Sequence, residues 1–159
     1  MGSMNQESLA RAIGSIPSGC FIMTAGDAAS GTGLLASWVQ QCSFDPPMVT
    51  VCIKEGRPIE SRIKKSGGFV LNQISDAPKE MFGHFGMGFG PDESAFEGLE
   101  VREVPQGVVI EACLGHLACK VLARHVSGDH NLYIAEIEGG DLNVEGKPYV
   151  HLRKNGFSY

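Results

Sequence analysis

The chain has no apolar run near the ~20 residues that a helix needs to cross a bilayer, and its N-terminus lacks the charged, apolar and small-residue zones of a signal peptide. A cytoplasmic protein with no membrane partner is expected. It also lacks an excess of positive charge, with 13 Lys and Arg against 18 Asp and Glu and a net charge of −5. Its one basic cluster, Arg62-Ile63-Lys64-Lys65, suits a solvated helix end, where cations complement the helix dipole. That excludes a nucleic-acid footprint. The five cysteines (20, 42, 52, 113 and 119) contain no CxxC pair, so neither a disulfide framework nor a zinc ribbon is expected and the thiols read as reduced, small apolar residues. The five histidines lack metal-site spacing, and no structural metal is expected. No G-x-G-x-x-G follows a strand, which excludes a Rossmann dinucleotide fold, and no paired carboxylates or activated nucleophile suggest acid–base or covalent catalysis.

What is present suits one domain. At 159 residues the chain can bury a real core without covalent staples. Met1-Gly2-Ser3 ahead of Met4 reads as a cloning scar, leaving 4–159 as a single domain without repeats or linkers. Asn5 to Ile16 carries a helical apolar stripe, with Asn5 or Ser8 as cap. Cys20 to Ala25 reads as a strand whose hairpin partner starts at Gly33. The stretch Gly33 to Ile53, GLLASWVQQCSFDPPMVTVCI, is the most informative, because polar side chains stand where a core strand should not have them. Asp45-Pro46-Pro47 forms a corner there, since proline offers no N–H to a ladder.

Pro58 to Lys65 reads as a helix and Phe69 to Ile74 as a strand. Ala77 to Phe85 follows as a short helix, then the glycine-rich excursion Gly83 to Gly98. Short strands are expected at Leu99 to Val104, Val108 to Ala112, Leu117 to Val126 and Leu132 to Ile137, the last two joined by Ser127 to Asn131. Short helices among six or seven antiparallel strands predict a mainly β fold, a small closed or partly open barrel.

Several short segments stand in a definite order: Ile16-Pro17-Ser18-Gly19; Gly33-Leu34-Leu35-Ala36-Ser37-Trp38; Ser43-Phe44-Asp45-Pro46-Pro47; and Gly68-Phe69-Val70-Leu71-Asn72. Further on come His84-Phe85 with Phe89, Gly128-Asp129-His130, and His151-Leu152-Arg153-Lys154. In this order and spacing they resemble the flavin reductase-like family. The LLASWVQQCSFDPP and HLRKNG segments look most like the subgroup that forms the C-terminal module of flavodiiron proteins, alongside flavoredoxin-type proteins. The resemblance implies a Greek-key-like split β-barrel of six to seven antiparallel strands with short flanking helices. It also implies a homodimer that binds FMN in preference to FAD. NAD(P)H would be the transient electron donor, and the acceptor free flavin, a ferric complex or a partner redox protein; the alternatives are an electron-transfer flavoprotein without efficient NAD(P)H oxidation of its own and a flavin-binding module without turnover.

The residues themselves narrow the site. Lys54-Glu55-Gly56-Arg57 follows a strand and precedes a helix, offering backbone N–H groups and cations to a phosphate, or else forming an ordinary solvated loop. The resemblance implies the phosphate role, although relatives often carry Ser or Thr where Gly56 and Arg57 stand. It also lays Leu35, Ala36, Ser37 and Trp38 along the flavin, with Gln41 nearby, and Trp38 replaces a residue that is commonly small. A lone Trp in a strand can equally be core. Asn72 in an apolar strand must either satisfy barrel backbone or approach the flavin. His84, Phe85 and Phe89 read as cofactor contacts or as core. His130 is implied near the nicotinamide or substrate as an orienting donor. Phe85, Phe89 and Phe96 in a glycine-rich excursion are expected to be exposed in one chain, and so to mark a subunit interface, and the C-terminal aromatics Phe157 and Tyr159 are expected to pack on the partner and help to close the pocket.

Overall fold

A computed structural model describes residues 5–76 and 79–159. Residues 1–3, read above as a cloning scar, Met4 and the first two residues of the expected third helix lie outside the described residues. Helix α1 (Gln6–Gly14) is capped by Asn5, whose side chain accepts from the N–H groups of Glu7 and Ser8. The strands are β1 (Phe21–Ala25), β2 (Thr32–Ala36), β3 (Val39–Phe44), β4 (Pro47–Lys54), β5 (Gly68–Gln73), β6 (Val101–Val104), β7 (Gly107–Ile110), β8 (Gly115–Ser127) and β9 (His130–Leu142). Two more helices, α2 (Ile59–Ser66) and α3 (Lys79–Phe85), complete the fold, with Pro58 the cap of α2 and not its first residue. No helix among the described residues is long and apolar enough to cross a membrane.

Seven strands form one antiparallel sheet in the order β2-β1-β5-β8-β9-β4-β3, and β6 and β7 form a separate pair. Gly33 to Ser43 is therefore not the single strand its residues suggested. It breaks at Ser37-Trp38 because β2 pairs with β1 while β3 pairs with β4, at the opposite end of the order. Three Cα steps reach only about 10 Å, so those two edges must lie close together. The sheet is curled into a barrel whose seam has no ladder, which is what makes it split. Extra residues at Cys42, Leu122 and Glu138 shift the registers of β3, β8 and β9, and such bulges add the bend that closure needs.

The barrel interior is filled by Met23, Val51, Ile53, Phe69, Leu71 and Tyr133, with Ile59 and Ile63 of α2 plugging it. A second core lies outside the β1–β5 face, where Ile22, Ile74, Phe85, Phe96, Val108 and Ile110 pack beneath α3 and β7. Strand β5 is buried on both faces, which accounts for its unbroken apolar run Phe69-Val70-Leu71. Because β7 joins no ladder of the main sheet, side chains satisfy its backbone. Asn72 donates to the carbonyls of Ile22 and Val108 and accepts from Ile110 N–H, while Thr24 donates to Val108 O and accepts from Val108 N–H.

Two expectations change here. Phe85 and Phe96 are 1% and 5% exposed and Phe89 packs against the same core. The glycine-rich excursion folds inward over β1 and β5, so Phe85 and Phe96 do not form the exposed patch expected of them. The β8–β9 connection is also tighter than expected, since Ser127 already pairs with His130 and only Gly128-Asp129 turns. Gly128 takes the positive φ (62°) such a turn needs, and His130 opens β9 as a buried residue.

Candidate functional site

The seam of the barrel opens into a cleft of about 300 Å³ between the β2–β3 break, the end of β4, α3 and the C-terminal segment. Its floor is apolar, made by Leu34, Leu35, Ala36, Ile53, Phe82 and Phe85, and Lys54 and Arg57 border it. A second pocket of about 300 Å³ shares Leu34, Arg57 and Gly88 with the first and adds Phe89. Phe85 can reach the floor because Gly33 lacks a side chain; a Cβ there would stand 2.9 Å from its ring.

The cationic border is held by α2. Glu60 accepts from Gly56 N–H (2.9 Å), Asn131 Nδ2 (2.8 Å) and the Tyr133 hydroxyl (2.6 Å), with the Arg124 guanidinium 3.6 Å away. Glu55 N–H donates to Asp129 O (3.1 Å). The loop between β4 and α2 is thus tied to β9, and its orientation sets where Lys54 and Arg57 point. Burial pushes the Tyr133 phenol up to about 12, with the hydrogen bond and charge of Glu60 adding to it.

At the mouth stands an aromatic cluster. The Trp38 ring lies 4.5 Å from His130 and 5.9 Å from Tyr159, with the Arg153 guanidinium 5.1 Å from its centre. His130 Nδ1 is 2.6 Å from Asp129 Oδ1, and its Nε2 is 2.6 Å from the Tyr159 hydroxyl. The hydrogen bond from His130, first among its causes, holds the Asp129 carboxyl below its ordinary value. On the other wall His151 is fixed by a backbone bridge to Ser18 (3.0 and 2.7 Å). Its Nδ1 is buried without a hydrogen-bond partner, and burial followed by the charge of Arg153 lowers the ring below the usual imidazole value. An orphaned acceptor or donor of this kind costs about 1–3 kcal/mol unless a ligand meets it.

Of the residues singled out in the sequence, Leu35, Ala36, Ser37, Trp38, Lys54, Arg57 and Phe85 border the cleft. Phe89 lines the adjoining pocket, and His130 stands behind Trp38 and Tyr159. The others lie elsewhere. Gln41 is exposed and its amide donates to Ser43 O; Glu55 and Gly56 border a separate surface pocket with Glu60 and Tyr133. Asn72 is fully engaged by backbone, as above, and His84 Nε2 pairs with Ala95 O (2.7 Å) between the rings of Phe85 and Phe89. Tyr159, expected with Phe157 to help close the pocket, borders the cleft of its own chain. Cys20, Cys52, Phe82 and His151 border it without having been singled out for it, and only the HLRK motif pointed toward one of these, because the bridge that brings the C-terminal segment to Ser18 is long-range.

An apolar shelf with cations at its border and an unpaired buried nitrogen on one wall fits a flat heterocycle that carries a phosphate tail. Comparison with known proteins agrees in kind. The flavin reductase like domain matches residues 13–158. The chain is 34% identical over 154 residues to diflavin flavoprotein A 1 of Synechocystis sp., covering 95% of this chain and 27% of that protein. It therefore spans about a quarter of that relative's length. Its fold superposes on the NADH:FAD oxidoreductase SgcE6 of Streptomyces globisporus with a TM-score of 0.83, at 18% identity over 97% of this chain and 93% of that one. The nitrilotriacetate monooxygenase component B homologue of Mycobacterium thermoresistibile superposes with a TM-score of 0.80, at 24% identity over 97% and 86%. The Streptomyces oxidoreductase is also known in complex with NAD and FAD fragments.

Proposed function

The chain belongs to the flavin reductase-like domain family, and from that premise we propose that it is an FMN-binding oxidoreductase taking reducing equivalents from NAD(P)H and passing them to free flavin, a ferric complex or a partner redox protein. The observation that carries this reading is the polarity of the cleft, an apolar floor bordered by Lys54 and Arg57. Leu35, Ala36 and the backbone of Ser37 would hold the ring, Lys54 and Arg57 its phosphate, and His151 Nδ1 would gain a partner on the ring's polar edge. A bound flavin supplies the hydride and electron chemistry itself, so the chain needs no nucleophile. Its task is to bind, orient and keep water from the ring. Phe82 and Phe85 keep that face dry, and the ties of Glu60 hold the cationic loop in place.

A homodimer belongs to the same proposal. The Ser18–His151 bridge joins segments that leave Ile16, Val150 and Leu152 more than 60% exposed, apolar area that a second subunit would cover. Light scattering should then report about twice 17.0 kDa. A second reading, an electron carrier without efficient NAD(P)H oxidation of its own, is favoured by the relative in which this region is only 27% of the protein. Anaerobic mixing of the flavin-loaded protein with NADH or NADPH separates the two. Rapid bleaching of the ~450 nm flavin band is the result expected of the reductase. Bleaching only by a reduced partner protein would transfer the protein to the second reading, and a protein that holds no flavin would refute both.

A further inference from the structure

Both ring nitrogens of His130 are engaged, Nδ1 with Asp129 and Nε2 with Tyr159. Asp129 is ionised at neutral pH, its carboxyl held below the ordinary value, and it can only accept. An imidazole carrying a single hydrogen therefore places it on Nδ1, against the carboxylate, and Nε2 presents a lone pair. The Tyr159 hydroxyl must then be the donor in the second bond. The chemical consequence is that His130 has no N–H left for a ligand. Of this pair it is Tyr159 and not His130 that lines the cleft, and its hydroxyl, with its single hydrogen committed to His130, keeps its remaining lone-pair capacity free.

We propose that Tyr159 is the specificity-determining polar contact for the second ligand of the cleft, accepting a hydrogen bond from an amide N–H, the chemistry of a nicotinamide carboxamide, with Asp129 and His130 fixing its polarity. This rests on the flavin and nicotinamide reading above. The phenol ring stands largely exposed at the mouth, where a ligand arriving on a filled cleft would meet it. Trp38, 5.9 Å away and overlaid by Arg153, offers such a ligand a flat face and a cation. The chain also holds Tyr159 there: Gly156 N–H donates to Ala10 O (2.7 Å), and a Cβ on Gly156 would collide with Ile13, so the last residues leave α1 from a fixed point.

The test uses flavin-loaded protein and oxidised nucleotides, so that no turnover occurs, with calorimetry as the readout. The unsubstituted protein is expected to bind nicotinamide adenine dinucleotide about five-fold more tightly than its analogue with an acetyl group in place of the carboxamide, the worth of one neutral hydrogen bond. Tyr159→Phe should abolish that preference and leave the acetyl analogue's affinity unchanged. A preference that survives in Tyr159→Phe overturns the role of Tyr159 alone. Failure of the unsubstituted protein to bind either nucleotide overturns the underlying reading with it. Riboflavin, whose imide also carries an N–H, is the second arm: a loss confined to riboflavin overturns the assignment to a carboxamide. Independently of any ligand, proton–nitrogen NMR of the imidazole should show the Nδ1–H tautomer of His130, and an Nε2–H tautomer would overturn the argument at its base.

Discussion

Arg57 and Asn72 show how differently two polar residues act within one fold. Arg57 borders the cleft on a loop whose geometry is held by other residues, so its removal should touch binding and not folding. Arg57→Ala is expected to weaken FMN binding ten- to hundred-fold, the equivalent of one charge-assisted hydrogen bond of about 1.5–3 kcal/mol. Fluorescence titration checks this, with an unchanged melting temperature as the control. Asn72 has the opposite profile. Its three hydrogen bonds join β5, β1 and β7, and Asn72→Ala strands a buried N–H and weakens two carbonyls. A loss of about 2–4 kcal/mol in denaturant unfolding is expected, with flavin affinity unaltered below the transition. The sequence marked both positions but left Asn72 open between barrel backbone and flavin, because a buried amide and a cleft amide look alike until their partners are known.

At the scale of elements, the strand and helix content was largely legible, since period-two runs, Pro-Pro and the cap residues are local signals. What was not legible is which runs pair. The break at Ser37-Trp38 exists because β2 and β3 belong to opposite edges of the curled sheet, and no local pattern carries that information. The inward fold of Phe85 and Phe96 likewise depends on β7 covering the β1–β5 face. The C-terminal segment is the clearest case. Arg153 N–H donates to Gly14 O (3.0 Å) and Gly156 N–H to Ala10 O (2.7 Å), contacts more than 130 residues apart in the chain that place Tyr159 over the cleft. Gly156→Ala is expected to release this segment while leaving the barrel folded. Limited proteolysis should then remove the last residues, and flavin binding should loosen as it would on deletion of 155–159. Unchanged protease resistance in Gly156→Ala would show that the anchor is not needed.

For the whole molecule, burial of ionisable groups sets a pH limit. Burial pushes Cys20 up to about 11 and Cys113 and Cys119 to about 12 from 9.0, and Tyr133 to about 12 from 10.0. Between each pair of values the unfolded chain has released the proton and the folded chain still holds it. Stability therefore stays intact below about pH 9 and falls as pH rises from there toward 12, which denaturant melts across that range will show. The central claim, however, concerns the cleft, and the chain's single tryptophan stands in it. The direct measurement is a titration of the flavin-free protein with FMN that follows Trp38 emission and calorimetric heat together. The account predicts saturable binding of one FMN per chain with quenching of Trp38, reversed when acid releases the flavin. Absence of saturable binding, or saturation that leaves Trp38 emission unchanged, would contradict it.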